Sequence, residues 1–422
     1  MATSLPPPAT PDLFHRYLDR RMRRARGLGN GSQFLFEVDG EVDRADLETR
    51  LAAAMDAVPL ARSGMAPWPA RRWVVGPDFT VPVTEEAVAD GEDAVNAWFG
   101  RWFGEPFVAP ESPSIQVVLG RAAGRTAVLV RWLHLLSDAP GMDLFLRLVD
   151  GEDPERFRRE QQPAAVLARA RGGRPAWRRF VDGHDFALRH ALRSLVPPHQ
   201  ASVDPKARQT SLAATLTREE TAALWARGRD LCGMDRNALL VGALARAYAE
   251  AFGVPGWRTL RIPVPISLRP PAWRGPVLGN WFTMLLVHVR VRDLGTLESA
   301  VAAVQADWRA SLRRGADATT MAFMAPAGIL PPSMARLFLD GPRLRDGASV
   351  NTSWVSLKAG ATGSFLGHPL RRAVISSSIL ARPGLAGVFA EAAGRLSVAV
   401  PGQGGDAARA LHEALLVTLR GG

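Results

Sequence analysis

Cysteine is nearly missing: Cys232 is the single one among 422 residues, so the chain can close no internal disulfide and build no cysteine-based metal site. Lysine is almost as scarce. With only Lys206 and Lys358, the formal charge of +11 rests on arginine, and abundant Ala, Gly and Pro beside it indicate GC-rich coding, which weakens basicity as an argument for nucleic acid. No uninterrupted apolar run reaches the length of a membrane span, and the N-terminus lacks a charged region leading into an apolar one, so the expected location is the cytoplasm. No His-Glu-x-x-His or other metal spacing is present, and Gly27, Gly29 and Gly31 precede no strand-to-helix unit that would make a dinucleotide loop. Both point away from metal and nicotinamide chemistry. The positive charge favours anionic partners such as nucleotide phosphates, an acidic carrier protein or an anionic membrane surface, against the plain alternative of a solvated arginine-rich face.

What is present is the profile of a folded protein, 47% hydrophobic and 22% charged, long enough for two cores of ordinary size. Asp12 can cap a short helix with Leu13, Phe14, Tyr17, Leu18 and Met22 at helical intervals, ended by a basic patch from Arg20 to Arg26. Gln33 to Val38 reads as a strand, and Asp43 opens a helix with Leu47, Leu51, Met55 and Val58 on one face. Arg72 to Val75 suggests a strand, and Asp93 to Phe103 a helix whose aromatics have the spacing of core residues. Ile115 to Leu119 and Arg125 to Trp132 form a hairpin-like pair. Between Glu152 and Asp204 arginine and proline break the pattern, and Leu188, Leu192 and Leu195 mark one amphipathic helix in a crossover, its basic face solvated or docking a membrane or carrier protein.

A second half begins at Gln209 with a strand and a helix carrying a Thr217/Glu220 capping box, echoing the first half. A capped helix from Gly233 to Ala247, a strand from Arg258 to Leu268, and an apolar strand after Gly279-Asn280 follow. Leu297 to Leu312 is a further helix and Ser349 to Leu357 a strand.

One stretch carries chemistry. Val128, Val130 and Trp132 alternate with Leu129, Arg131 and Leu133 as a strand, His134 stands at its end, and Ser137, Asp138 and Pro140 open a helix with Met142, Phe145, Leu146 and Val149 at helical spacing. A strand-to-helix turn of this kind can present an imidazole to a cleft as a general base. The bare His-x-x-x-Asp spacing is weak, since chance alone supplies about 0.45 such pairs in a chain of this composition.

The stretch resembles the HHxxxDG motif of the condensation-domain and chloramphenicol acetyltransferase-like acyltransferases, a superfamily that includes wax ester synthases and alcohol acetyltransferases. The second His falls on His134 and the Asp on Asp138, while Leu133 replaces the first His and Ala139 the Gly. Ser267-Leu-Arg269-Pro followed by Gly279-Asn280 and an apolar strand resembles a second shared pattern, which by itself is also a common tight turn. The segment from Phe34 through Pro59, Leu60 and Arg62, and the helix after Gly233, are softer likenesses, the latter departing at Asp235 and Ala238; a plant-type DFGWG box is absent.

The resemblance implies an α/β fold of two chloramphenicol acetyltransferase-like subdomains, residues 1–205 and 206–422, forming a pseudo-dimer with an active-site tunnel between them. It implies His134 as general base, Asp138 as a structural partner of an arginine, here Arg269, and Ala139, Gly141, Asn280 and Ser353 as pocket residues. The implied co-substrate is acyl-CoA or a phosphopantetheinyl thioester on an acyl carrier protein, with a small-molecule alcohol or amine as acceptor. No permanently bound cofactor, no metal and no nucleic acid are implied, the chain is expected to be a monomer, and peripheral membrane contact stays open. In the family the motif glycine lies where the thioester arm approaches, so a methyl at Ala139 either hinders that approach or meets a forbidden backbone angle. Within the fold the alternative is a carrier-protein-dependent condensation enzyme; outside catalysis it is a silent binding or scaffold protein, motivated by Leu133 and Ala139.

Overall fold

A computed structural model describes the chain except residues 1–4, 6, 27, 67–68, 77–78, 108–113, 156–176, 179–180, 182–197, 205, 234, 270–276, 340–346, 380–382 and 422. The amphipathic crossover helix read at Leu188, Leu192 and Leu195 lies outside the described residues. In the first half, α1 (Thr10–Arg26), β1 (Gly31–Asp39), α2 (Arg44–Ala57), β2 (Ser63–Met65), β3 (Trp73–Val75), β4 (Val83–Ala87), α3 (Glu92–Phe103), β5 (Ile115–Ala122), β6 (Arg125–Leu133) and α4 (Ala139–Val149) follow in order. In the second come β7 (Gln209–Thr215), α5 (Arg218–Cys232), α6 (Arg236–Ala251), β8 (Thr259–Ser267), β9 (Phe282–Arg290), α7 (Leu297–Arg313), α8 (Ala316–Met324), α9 (Pro326–Ile329), α10 (Pro332–Leu339), β10 (Asn351–Ser356), β11 (Ser364–Phe365), β12 (His368–Ser377), β13 (Ala386–Ala392), β14 (Arg395–Gln403) and α11 (Gly405–Arg420).

Two main sheets result. The larger has the order β11-β12-β1-β6-β5-β4 and the smaller β10-β13-β14-β7, with β8 and β9 as a separate pair. Strand β1 lies inside the larger sheet, antiparallel to β6 from Gly31↔Leu133 to Asp39↔Arg125 and antiparallel to β12 from Ser32↔Ser377 to Val38↔Leu370. Phe34, Leu35 and Phe36 are fully buried on both faces of it, as a central strand requires. The second half thus completes the first half's sheet, a crossing that is not visible in the sequence. The interior reflects it: one core joins Phe34, Val128 and Phe145 to Val277, Leu357 and Ile375, and a second gathers α6, α7, α11 and β14 around Leu244, Val301, Leu411 and Val398.

Two local expectations change. Helix α1 begins at Thr10 and runs 17 residues, so Asp12 sits inside its first turn, where its Oδ2 accepts from Ala9 N at 2.6 Å, the reach-back half of a capping box. The helices between 316 and 339 and the strand β12 were not anticipated. None of the described helices is long and apolar enough to cross a membrane.

Helix α4 ties the halves together through Asp143, whose Oδ1 accepts from Lys358 N and Ala359 N, both at 2.9 Å. Burial raises this carboxyl to about 6 against those two bonds. Asp143→Ala leaves two inward-facing N–H groups unpaired and is expected to lower stability by about 1–3 kcal/mol, read as a drop in the denaturant midpoint. An unchanged midpoint would mean that the 358–359 turn is held by something else.

Candidate active site

The end of β6 is pinned before the helix starts. Leu136 N donates to Leu133 O at 2.9 Å, the buried Trp132 Nε1 donates to Ser137 O at 2.9 Å, and His134 N donates to Asn30 O at 2.7 Å. Asp138 then caps α4, its Oδ1 accepting from Gly141 N at 2.9 Å. A buried loop therefore has its backbone groups satisfied, which is the condition for holding a polar side chain there.

The second half clamps this loop with residues 277–281. Gly279 bridges Ser137 in parallel, its N donating to Leu136 O at 3.0 Å. Its φ of 103° is a conformation that favours glycine. Trp281 N donates to Asp138 Oδ2 at 2.8 Å. Arg269 Nη1 reaches both carboxylate oxygens of Asp138 at 2.6 Å, and its Nη2 donates to Gly279 O at 3.0 Å. The side chains of the pair are 5% and 7% exposed, so the carboxylate is enclosed by donors from both halves and presents no free face to a substrate. Gly141 lies directly beneath: a Cβ there would meet Ser137 Oγ at 2.2 Å and Arg269 Nη2 at 2.7 Å. Glycine at 141 therefore serves the clamp, a different part from the pocket role implied for it by resemblance.

Ala139 is the first residue of α4, and positive φ among the described non-glycine residues occurs only at Leu366 and Ala393. Of the two effects expected of its methyl, the backbone penalty is therefore absent. Leu133 is buried in the core at the end of β6. Ser353 lies elsewhere, on β10, at a shallow depression shared with Asn237, Leu240 and Val264; it makes none of the contacts of the histidine cluster. A small cleft of about 20 Å³ is lined by Gly29, Gly31, Gln33 and Arg131 from one half and Gln209 and Ser378 from the other, and includes no residue of the 134–141 loop.

His134 itself is held by Asn280, which is fully buried. Asn280 Nδ2 donates to His134 O at 2.8 Å and to Asp12 Oδ1 at 3.0 Å, with a longer approach to Leu135 O. Both amide hydrogens are thus engaged, and Asn280 Oδ1, 3.1 Å from His134 Nδ1, can only accept. The proton of neutral His134 sits on Nδ1 and the basic lone pair on Nε2. Burial lowers the pKa of His134, against its own backbone, the charge of Asp138 and the Asn280 bond, all of which raise it. The ring is accordingly neutral, and able to accept, at neutral pH.

Helix α1 supplies two further groups, one turn apart on one face, which sequence reasoning did not find. Asp12 is 3% exposed, and its Oδ1 accepts from both N and Nδ2 of Asn280, at 2.8 and 3.0 Å. Burial outweighs these bonds and raises it to about 7. His15 lies face to face with His134, ring centroids 3.8 Å apart and planes 7° from parallel. Phe282 tilts against both rings, at 5.5 and 6.2 Å. The available signal was Asp12-x-x-His15 at helical spacing, which is uninformative until the position of the helix is known.

No protein-family model matches the chain. The uncharacterized protein Rv2305 of Mycobacterium tuberculosis is 25% identical over 312 residues, covering 70% of each chain. Among solved structures, a mutant starter condensation domain of rhizomide synthetase RzmA, in complex with C8-CoA and Leu-SNAC, is 16% identical with a TM-score of 0.65, covering 98% of this chain and 92% of that one. The first condensation domain of the CDA synthetase gives 16% and 0.65 over 98% and 94%, and the condensation domain of the Monacolin K polyketide synthase MokA 14% and 0.66 over 99% and 97%. The fold is therefore that of condensation domains, two α/β subdomains of the chloramphenicol acetyltransferase-like type.

Two predictions follow from the clamp and from α1. Asp138→Ala and Arg269→Ala should each destabilise by about 3–5 kcal/mol, because either leaves a buried charge uncompensated, while the double change costs less than the sum; additivity in chemical denaturation would show that the pair is uncoupled. Asp12, with its folded pKa raised from the ordinary 3.8 to about 7, holds more protons folded than unfolded in that interval, so its contribution to stability falls as pH rises through it. Across this window the melting temperature of Asp12→Asn should rise relative to that of the wild type, while His15 and His134, with lowered pKa values, tilt both proteins alike in the opposite sense. Asp143 has the same sign as Asp12 and accounts for a residual slope. An identical slope in both proteins would remove Asp12 as the titrating group.

Proposed function

We propose that the protein is an acyltransferase that moves an acyl group from a thioester, acyl-CoA or a phosphopantetheinyl arm, to a hydroxyl or amine acceptor. The observation that carries this reading is the tautomer of His134: a half-buried imidazole with Nδ1–H committed to Asn280 Oδ1 and its Nε2 lone pair available. As the acceptor attacks the thioester carbonyl, His134 Nε2 takes its proton; as the tetrahedral intermediate collapses, the C–S bond breaks and the proton passes to the departing thiolate. Asp138 and Arg269 hold the loop and touch no reacting atom.

Met321, Met324 and Phe282 form a small buried cluster with Phe14 and Met284 packed against it, beside the two imidazoles. Such a wall of flexible apolar side chains suits an acyl chain. A condensation reaction on a carrier-bound donor is the second reading, favoured by the solved condensation domains that share the fold. The motif departures do not favour a silent scaffold, since Leu133 is a core residue and Ala139 a helical one.

The test is mass spectrometry of products after incubation with a panel of acyl-CoA and acyl-pantetheine donors, alcohols and amines. His134→Ala should lower turnover by about 10²–10⁴ at an unchanged melting temperature. Turnover that survives the substitution would sink the general-base mechanism.

A further inference from the structure

Beyond His134, the stacked ring on α1 has an assignable role. We propose that His15 is a second catalytic residue, whose Nε2–H donates to the thioester oxygen as it becomes an oxyanion. The proposal rests on the acyl-transfer reading given above.

The argument begins with the proton. Asn30 Nδ2 lies 2.8 Å from His15 Nδ1, and an amide NH₂ can only donate, so Nδ1 is the acceptor and the ring proton is on Nε2. Asn30 is itself fixed, its N donating to Asp19 Oδ1 at 2.8 Å and its O accepting from His134 N at 2.7 Å. One residue therefore sets the position of one histidine and the tautomer of the other. His15 is 6% exposed, and its Nε2 is buried without a hydrogen-bond partner among the described residues. An unpaired buried donor is disfavoured unless something else completes it, and this one belongs to the ring stacked on the base.

Charge decides what that donor can do. Burial, and secondly the neighbouring His134, lower the pKa of His15 well below the ordinary range. Two imidazoles 3.8 Å apart cannot both be cations without strong repulsion. When His134 takes the acceptor's proton, His15 stays neutral and hydrogen-bonds the oxyanion without surrendering its own proton. A neutral imidazole acting as electrophile beside a separate base is an established catalytic pattern. In full, the acceptor X–H loses its proton to His134 Nε2 as the C–X bond forms, and the carbonyl π pair moves to oxygen, held by His15 Nε2–H. Collapse re-forms the carbonyl and breaks C–S, and the thiolate leaves with the proton from His134.

The experiment uses the full chain with the acyl-CoA and acceptor that give the highest turnover in the panel. His15→Phe keeps an aromatic ring for the stack and removes the donor; His15→Gln returns an N–H without the ring. Expected are a fall in kcat of about 10²–10³ for His15→Phe, the usual effect of losing one oxyanion donor, with KM and melting temperature nearly unchanged, and partial recovery in His15→Gln. Nitrogen-15 NMR of labelled histidine should show His15 protonated at Nε2. Full activity in His15→Phe, equal loss in both variants accompanied by a lowered melting temperature, or a proton on Nδ1 of His15 would each overturn the assignment. An inactive wild type would remove the acyl-transfer reading and this role together, whereas an active wild type matched by His15→Phe removes only the role of His15.

Discussion

The site depends on one buried ion pair. Arg269 meets both oxygens of Asp138 at 2.6 Å, and the same carboxylate caps α4 through Gly141 N and receives Trp281 N from the opposite half. A buried pair of this kind is poor evidence of net stabilisation, because desolvating two charges offsets much of their attraction. Its physical effect is geometric. The loop that carries His134 is fixed against the loop that carries Asn280, so imidazole and amide come from different halves yet keep hydrogen-bond distance.

Helix α1 lies across that junction and closes the arrangement. Asp12 engages Asn280, His15 stacks on His134, and Asn30 contacts both histidines. The result is a packed cluster of Asp12, His15 and His134, the first two buried and the third half-buried. Low local polarity raises the carboxyl and lowers the imidazoles, and in each case the uncharged form is favoured.

The departures from the HHxxxDG pattern have local explanations. At Leu133 the strand calls for a core side chain, and at Ala139 the backbone is already helical. The strict glycine positions are instead Gly141, where a Cβ would collide with Ser137 Oγ and Arg269, and Gly279, where the backbone needs positive φ.

Local pattern in the sequence determined much of what is local in the structure. Period two through Val128 to Leu133 marks the strand, Ser137 to Pro140 marks the helix start, and Thr217 with Glu220 forms the capping box that it spells. His134, Asp138, Arg269 and Asn280 were legible as a group only because two short motifs resemble a family, and spacing alone could not join residues more than a hundred positions apart. Only the tertiary structure decided that β12 inserts beside β1, that Gly141 serves the clamp, that Ser353 lies at another cavity, and that Asp12 and His15 of α1 belong with His134. The reason is physical: helix and strand periodicity are written in neighbouring residues, whereas the docking of α1 on the junction is a packing outcome of both halves at once, and the protonation of every group there follows from the burial that docking creates.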